Sequence, residues 1–255
     1  MKLTVLGCSG SIGGALQRTT SLLLDDDILI DAGTGVGDLT IDQLVLIDHV
    51  FLTHSHLDHI ACLPFMLDTV GELRDKPLTV YATADTRAIL EAHIFNWVIW
   101  PDFATIPTVD NPFLQFQTIT LGQTIALGPR RLTVLPAEHT VPAVGYQIDS
   151  GHGSLVFTGD TTSNDALWEV VNRIDNLRYL IIETAFANKD AQLALLSKHF
   201  CPDTLAVELQ KLTRSAEIFV THLKPAQIDL TTEELRQIVG DKPLSVLAQG
   251  QVLDF

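Results

Sequence analysis

Apolar residues fall in short runs broken by turns. The runs at 2–6, 22–24, 28–31, 49–53, 78–82, 132–136, 144–148, 154–158, 179–183 and 217–221 predict strands. Glycine or aspartate turns bound many of them: Gly7, Gly10, Gly13 and Gly14, the triple aspartate at 25–27, Gly33, Gly35 and Gly37, and Gly151-His152-Gly153. Longer patterned stretches at 59–70, 84–96, 164–173, 189–197, 202–213 and 232–238 predict helices, and Thr232-Glu233-Glu234 predicts a helix start with acids in the first turn. Strands come in pairs with helices interspersed. That order implies an α/β fold of two sheets packed face to face with helices outside. The stretch 97–117 is the least regular. It holds Trp97, Trp100, Phe103, Phe113 and Phe116 with three prolines, and it reads as a long loop or flap. No linker or charge block marks a boundary, so residues 1–255 are expected to form one domain.

Composition narrows the function classes. With 46% apolar residues and 18% charged, the chain can bury a substantial core. Its formal net charge of -15 repels phosphate backbones, and no basic run is present, so a long nucleic-acid partner is not expected. A small anion is still compatible, because a local pair of dications overrides a distant negative field. Cys8, Cys62 and Cys201 form no close pair, which fits a reducing, cytoplasmic setting better than a disulfide framework. The first residues lack the pattern of a secretory leader, and no run of about 18 apolar residues predicts a membrane span.

The candidate chemistry is concentrated after the run VFLT at 50–53. His54, His56, Asp58 and His59 follow at once. On a regular strand 54, 56 and 58 share a face and 59 does not; on a helix 54, 58 and 59 group and 56 does not. The set converges only where a strand ends and the chain curls round a centre. Imidazole nitrogens and carboxylate oxygens are the donors that zinc and similar divalent ions take. His139, Asp160 and His222 each stand just after another apolar run and are the further candidate ligands. His49, His93 and His152 lack that context and read as structural or surface residues.

The H-x-H-x-D-H motif with the later His, Asp and His resembles the metallo-β-lactamase superfamily. The resemblance runs from LTVLGCSGS through ILIDAGTG to TGDTT and THLKP. It implies a four-layer αββα sandwich of two mixed sheets with helices outside. It implies His54, His56 and His139 on one metal and Asp58, His59 and His222 on a second, with Asp160 bridging. The two divalent ions would be zinc by default, with manganese or iron as alternatives. Within the superfamily, HSHLDHI, FNWVIWPDF, IIETAF, LSKH and THLKP look like the class II 3′,5′-cyclic-nucleotide phosphodiesterases. Cys62 stands where that group has a Gly, Ser or Ala.

The phosphodiesterase resemblance implies hydrolysis of a cyclic nucleotide such as cAMP or cGMP to the 5′-monophosphate through a metal-bound hydroxide. His199 is the candidate general acid for the leaving 3′-oxygen, with Glu183 orienting it, and Asp58 doubles as ligand and proton acceptor. Asp31 reads equally as an orienter of a metal-binding imidazole and as a turn residue. The aromatics of 95–116 read as packing, a dimer contact or a base platform, and the resemblance suggests a homodimer. The rivals on the same site are a tRNA 3′-processing endonuclease and a small-ester or thioester hydrolase. A non-catalytic metal-binding protein is a further alternative. The endonuclease group resembles this chain in the same core motifs, with a Glu and a His at places like Glu183 and His199, but it carries a tRNA-gripping arm that has no counterpart in this sequence.

Overall fold

The computed structural model describes residues 1–239 and 244–255. The chain divides into two compact units: residues 1–7, 18–119 and 249–254, and residues 8–17, 120–248 and 255.

The first unit is built on a seven-stranded mixed sheet. The strands Val252–Asp254, Lys2–Gly7, Ser21–Leu24 and Ile28–Ile30 pair antiparallel in that order. From Ile28–Ile30 onwards, His49–Phe51, Leu78–Ala82 and Leu114–Thr118 pair parallel. Parallel strands are covered on both faces, which is why these runs are almost continuously apolar. The helix Leu63–Val70 buries Leu63, Met66, Leu67 and Val70 in the same core cluster as Val50 and Val80. That i, i+3, i+4, i+7 spacing is one helix face.

The second unit repeats this plan. Thr124–Leu127, Arg130–Pro136, Val144–Asp149 and Ser154–Phe157 pair antiparallel. Leu177–Glu183, Glu217–Thr221 and Leu244–Val246 then extend the sheet in parallel. The helix Asp165–Val171, capped by the Asn164 side chain, adds Leu167, Trp168 and Val171 to a core with Val156, Leu180, Ile182 and Val220.

The expected strands are all present with ends shifted by at most a few residues. Three expectations change. Residues 97–117 are not one long loop. Leu114–Thr118 is an edge strand along Leu78–Ala82, and its two glutamines face outward, which hid its apolar pattern. Phe95 and Phe103 are buried with Phe113 and Phe116 packed against them, so these phenylalanines are core, whereas Trp97 is 64% exposed. The stretch 59–70 is two helices, Leu57–Ile60 and Leu63–Val70, separated where Cys62 N–H donates to Ala32 O. The last helix starts at Ile228 and not at 232, because a 3₁₀ turn begun by Pro225 feeds directly into it. The sequence reading also passed over the helix Ile41–Leu46, although its Thr40–Gln43 capping box is a standard start signal. None of the described helices is long and apolar enough to cross a membrane.

Candidate metal centre

In the first unit, the strands Ile28–Ile30 and His49–Phe51 run parallel, so the residues after them emerge at the same sheet edge. Asp31 follows one strand, and Thr53 and His54 follow the other. The segment does curl: strand geometry ends at Phe51, His56 sits at the helix N-cap in extended conformation, and Asp58 and His59 lie in the helix Leu57–Ile60. Two backbone bonds, Ala32 N–H to His59 O and Asp31 N–H to Phe51 O, hold this loop against the one at Asp31. Gly33 is required there, since a Cβ would lie 2.4 Å from Asp58 O and 2.5 Å from Thr20 O.

The curl brings the imidazoles together. The His54 ring centroid is 4.6 Å from that of His56 and 4.2 Å from that of His59. His59 Nε2 is 3.9 Å from Asp58 Oδ2. His54 and His59 are fully buried; His56 and Asp58 are half-buried. Asp31 is also fully buried, in left-handed conformation at φ +58°. Its carboxylate takes His59 Nδ1–H at 2.7 Å, Thr53 N–H at 2.8 Å and the Thr53 hydroxyl at 2.8 Å. Burial pushes the Asp31 carboxyl up from its ordinary range, with His59 and Thr53 opposing. Asp31 is therefore an orienter of an imidazole rather than a plain turn residue.

In the second unit, Arg130–Pro136, Ser154–Phe157, Leu177–Glu183 and Glu217–Thr221 all run in one direction. His139, Asp160, Glu183 and His222 sit at or just beyond their carboxyl ends. Asp160 Oδ1 is 3.3 Å from His222 Nδ1, and its Oδ2 is 3.9 Å from His139 Nε2. All three side chains are buried. His139 Nδ1 is 3.3 Å from the carbonyl oxygen of Lys198, whose φ is +53°. His222 itself has φ +68°, with its N–H donating to Cys8 O. Such backbone tends to persist at functional sites, where surrounding contacts over-determine it. Gly10 lies against it; a Cβ there would meet His222 O at 2.3 Å.

Glu183 and His199 pair, with Nδ1 to Oε1 at 2.8 Å. Glu183 is fully buried and also takes Thr161 N–H and Phe200 N–H, so one carboxylate fixes the loop after Asp160 and the segment at His199. Burial raises the Glu183 pKa. For His199, burial opposes charge, but the Glu183 carboxylate outweighs it with help from Asp160, and its pKa is raised. One donor atom each from Asp160, His199 and His222 lies within 4.8 Å of the others. The sequence reading missed Thr53, Thr161 and Lys198 as partners of these groups. The only available signal was their position beside the histidines and aspartate.

The donor sets suit divalent ions. Asp31 engages Nδ1 of His59, which puts the lone pair of that ring on Nε2. A carboxylate behind an imidazole is the usual support of a metal ligand.

The family model of the beta-lactamase superfamily domain matches residues 26–223. The chain belongs to this superfamily. Among curated proteins, a probable 3′,5′-cyclic-nucleotide phosphodiesterase of Yersinia pestis is 28% identical over 233 residues, covering 80% of this chain and 63% of the relative. A ribonuclease Z of Methanopyrus kandleri is 29% identical over 152 residues, 57% of this chain and 49% of that protein. The superfamily chain thus spans less than two thirds of the length of these relatives. Among solved structures, unliganded yeast PDE1 superposes with a TM-score of 0.81 at 20% identity, over 100% of this chain and 99% of that one. The metallo-β-lactamase fold expected from the sequence, with its two mixed sheets and flanking helices, is borne out.

Proposed function

We propose that this chain is a single-domain metallohydrolase that cleaves 3′,5′-cyclic nucleotides to 5′-monophosphates. His54, His56 and His139 would hold one divalent ion and Asp58, His59 and His222 a second, with Asp160 offering its carboxylate to both. Zinc is the proposed metal, and manganese or iron would take the same donors. Bound there, the ions would supply Lewis acidity.

The observation that carries phosphodiester cleavage, as against ester hydrolysis, is the buried Glu183–His199 pair beside Asp160 and His222. Cleavage of a phosphodiester expels an alkoxide that needs a proton. A phosphodiesterase therefore gains from a positioned acid, while an ester with a good leaving group has less need of one. Glu183 holds Nδ1 of His199, which leaves Nε2 as the nitrogen that can deliver a proton, and its negative charge favours the imidazolium. Asp58, half-buried with Oδ2 3.9 Å from His59 Nε2, is the proposed proton acceptor, a role taken from the family resemblance. Support for the substrate class comes from the Yersinia relative.

A ribonuclease Z-like activity is the second reading, favoured by the Methanopyrus relative. The net charge of -15 weighs against a polynucleotide, because such binding draws on phosphate neutralisation by Lys and Arg.

The test is hydrolysis of 3′,5′-cyclic AMP by metal-loaded protein, with 5′- and 3′-AMP resolved. Unprocessed tRNA and a simple thioester run alongside, and Asp160→Ala is the blank. Metal-dependent formation of 5′-AMP supports the phosphodiesterase and places the leaving group at the 3′-oxygen. Cleavage of tRNA or thioester with cyclic AMP and cyclic GMP untouched would discard the substrate while keeping the metallohydrolase.

A further inference from the structure

Thr53 is fully buried between Asp31 and His54. Its N–H donates to Asp31 Oδ1 at 2.8 Å, and its hydroxyl donates to Asp31 Oδ2 at 2.8 Å. The same hydroxyl oxygen is 3.0 Å from His54 Nδ1. A hydroxyl has one proton. Given to Asp31, it leaves Oγ1 able only to accept from His54, so the hydrogen of that bond belongs to His54 Nδ1. The reverse polarity, with Thr53 donating to His54, would forfeit a bond to a buried carboxylate. Charge-assisted bonds are about twice as strong as neutral ones, so the first polarity wins. His59 Nδ1 donates directly to the same Asp31 Oδ2 at 2.7 Å.

We propose that Thr53 is a positioning residue that relays the Asp31 carboxylate to His54, so that one buried acid fixes the tautomer of two imidazoles, His59 directly and His54 through the hydroxyl. Both rings then carry hydrogen on Nδ1 and present the Nε2 lone pair to a cation. In the other tautomer, His54 would turn an N–H towards the ion. This inference rests on the metal centre proposed above.

The experiment compares wild type, Thr53→Val, which keeps the shape without the hydroxyl, and Thr53→Ser, which restores it. Zinc affinity is measured by competition with a chromophoric chelator. The imidazole nitrogens of ¹⁵N-labelled, metal-free protein are read by NMR. In wild type, His54 is expected to be protonated at Nδ1. Thr53→Val should lose that signature and bind zinc about 10–100-fold more weakly, the range for lost outer partners of metal ligands. Thr53→Ser should restore both. Wild-type His54 protonated at Nε2 overturns the proposal, and so does a Thr53→Val protein with unchanged tautomer and zinc affinity. Should Thr53→Val not fold, the wild-type and Thr53→Ser spectra still decide the polarity. A wild type that takes up neither zinc, manganese nor iron overturns the metal centre and this proposal with it. That outcome differs from equal uptake by wild type and Thr53→Val, which overturns the relay alone.

Discussion

The two sheets follow one plan, three antiparallel pairings and then three parallel ones. Counted from the antiparallel edge, Asp31 and Asp160 both follow the fourth strand of their sheet. Their roles diverge. Asp31 is locked behind His59 and Thr53 by three short hydrogen bonds and only orients. Asp160 approaches His222 and His139 at 3.3 and 3.9 Å, distances that suit donors sharing a cation better than a tight hydrogen bond. Fold position supplies a carboxylate at the sheet edge; its neighbours decide whether it is tied up behind an imidazole or left among further donors. The halves also differ in economy. The first packs four donors into six consecutive residues on one curl, whereas the second gathers them from the ends of separate strands.

The largest effects are expected at these two aspartates. Asp160→Ala should abolish turnover and weaken metal binding by more than the ~10–100-fold typical of outer partners. Asp160→Ala protein with full metal content, measured by elemental analysis, would remove it from the ligand set. His199→Ala separates proton delivery from metal holding within the second half. Turnover should fall by about 10²–10⁴ with metal content intact. Loss of metal instead would make His199 a ligand, which its closeness to Asp160 and His222 permits. Asp31→Asn keeps a residue that tolerates left-handed backbone but turns an acceptor into a mixed donor. Metal affinity should drop about 10–100-fold, less than for Asp160→Ala. Equal losses at the two positions would erase the distinction drawn between them.

The smallest effect lies in the scaffold of the second unit. Glu208 is buried, and burial alone would raise its pKa. Bonds from Asn164 N–H, Trp168 Nε1–H, the Ser163 hydroxyl and Lys211 outweigh that and hold it below the ordinary carboxylate value. Its stabilisation is therefore present above the ordinary value of 4.5 and is lost as pH falls through the lowered one. Glu208→Gln should cost about 1–3 kcal/mol in denaturant melts at neutral pH. The gap from wild type should close in acid, while metal content stays unchanged. A gap that persists to low pH would show that ionisation of Glu208 contributes nothing.

Much of this was legible in the sequence. Strand runs were readable because parallel strands buried on both faces are continuously apolar, and the histidine cluster stood out because its members are neighbours in the chain. Leu114–Thr118 was not readable, because an edge strand that exposes two glutamines carries half a pattern. The aromatics of 95–116 gave no clue to their partition into core phenylalanines and an exposed Trp97. Thr53 looked like the last residue of a strand, and nothing local marks a hydroxyl as a bridge.

Residue order alone tells which side chains have the chemistry to hold divalent ions and which runs form strands. Donor type and hydrophobic period are properties of nearby residues. That Asp31 faces His59, and that Glu183 meets His199 across 16 positions, follows from the folded arrangement. It alone set His139, Asp160 and His222 at the ends of strands running the same way. Strand order and direction are set by the packing of whole sheets, which no local stretch of chain encodes.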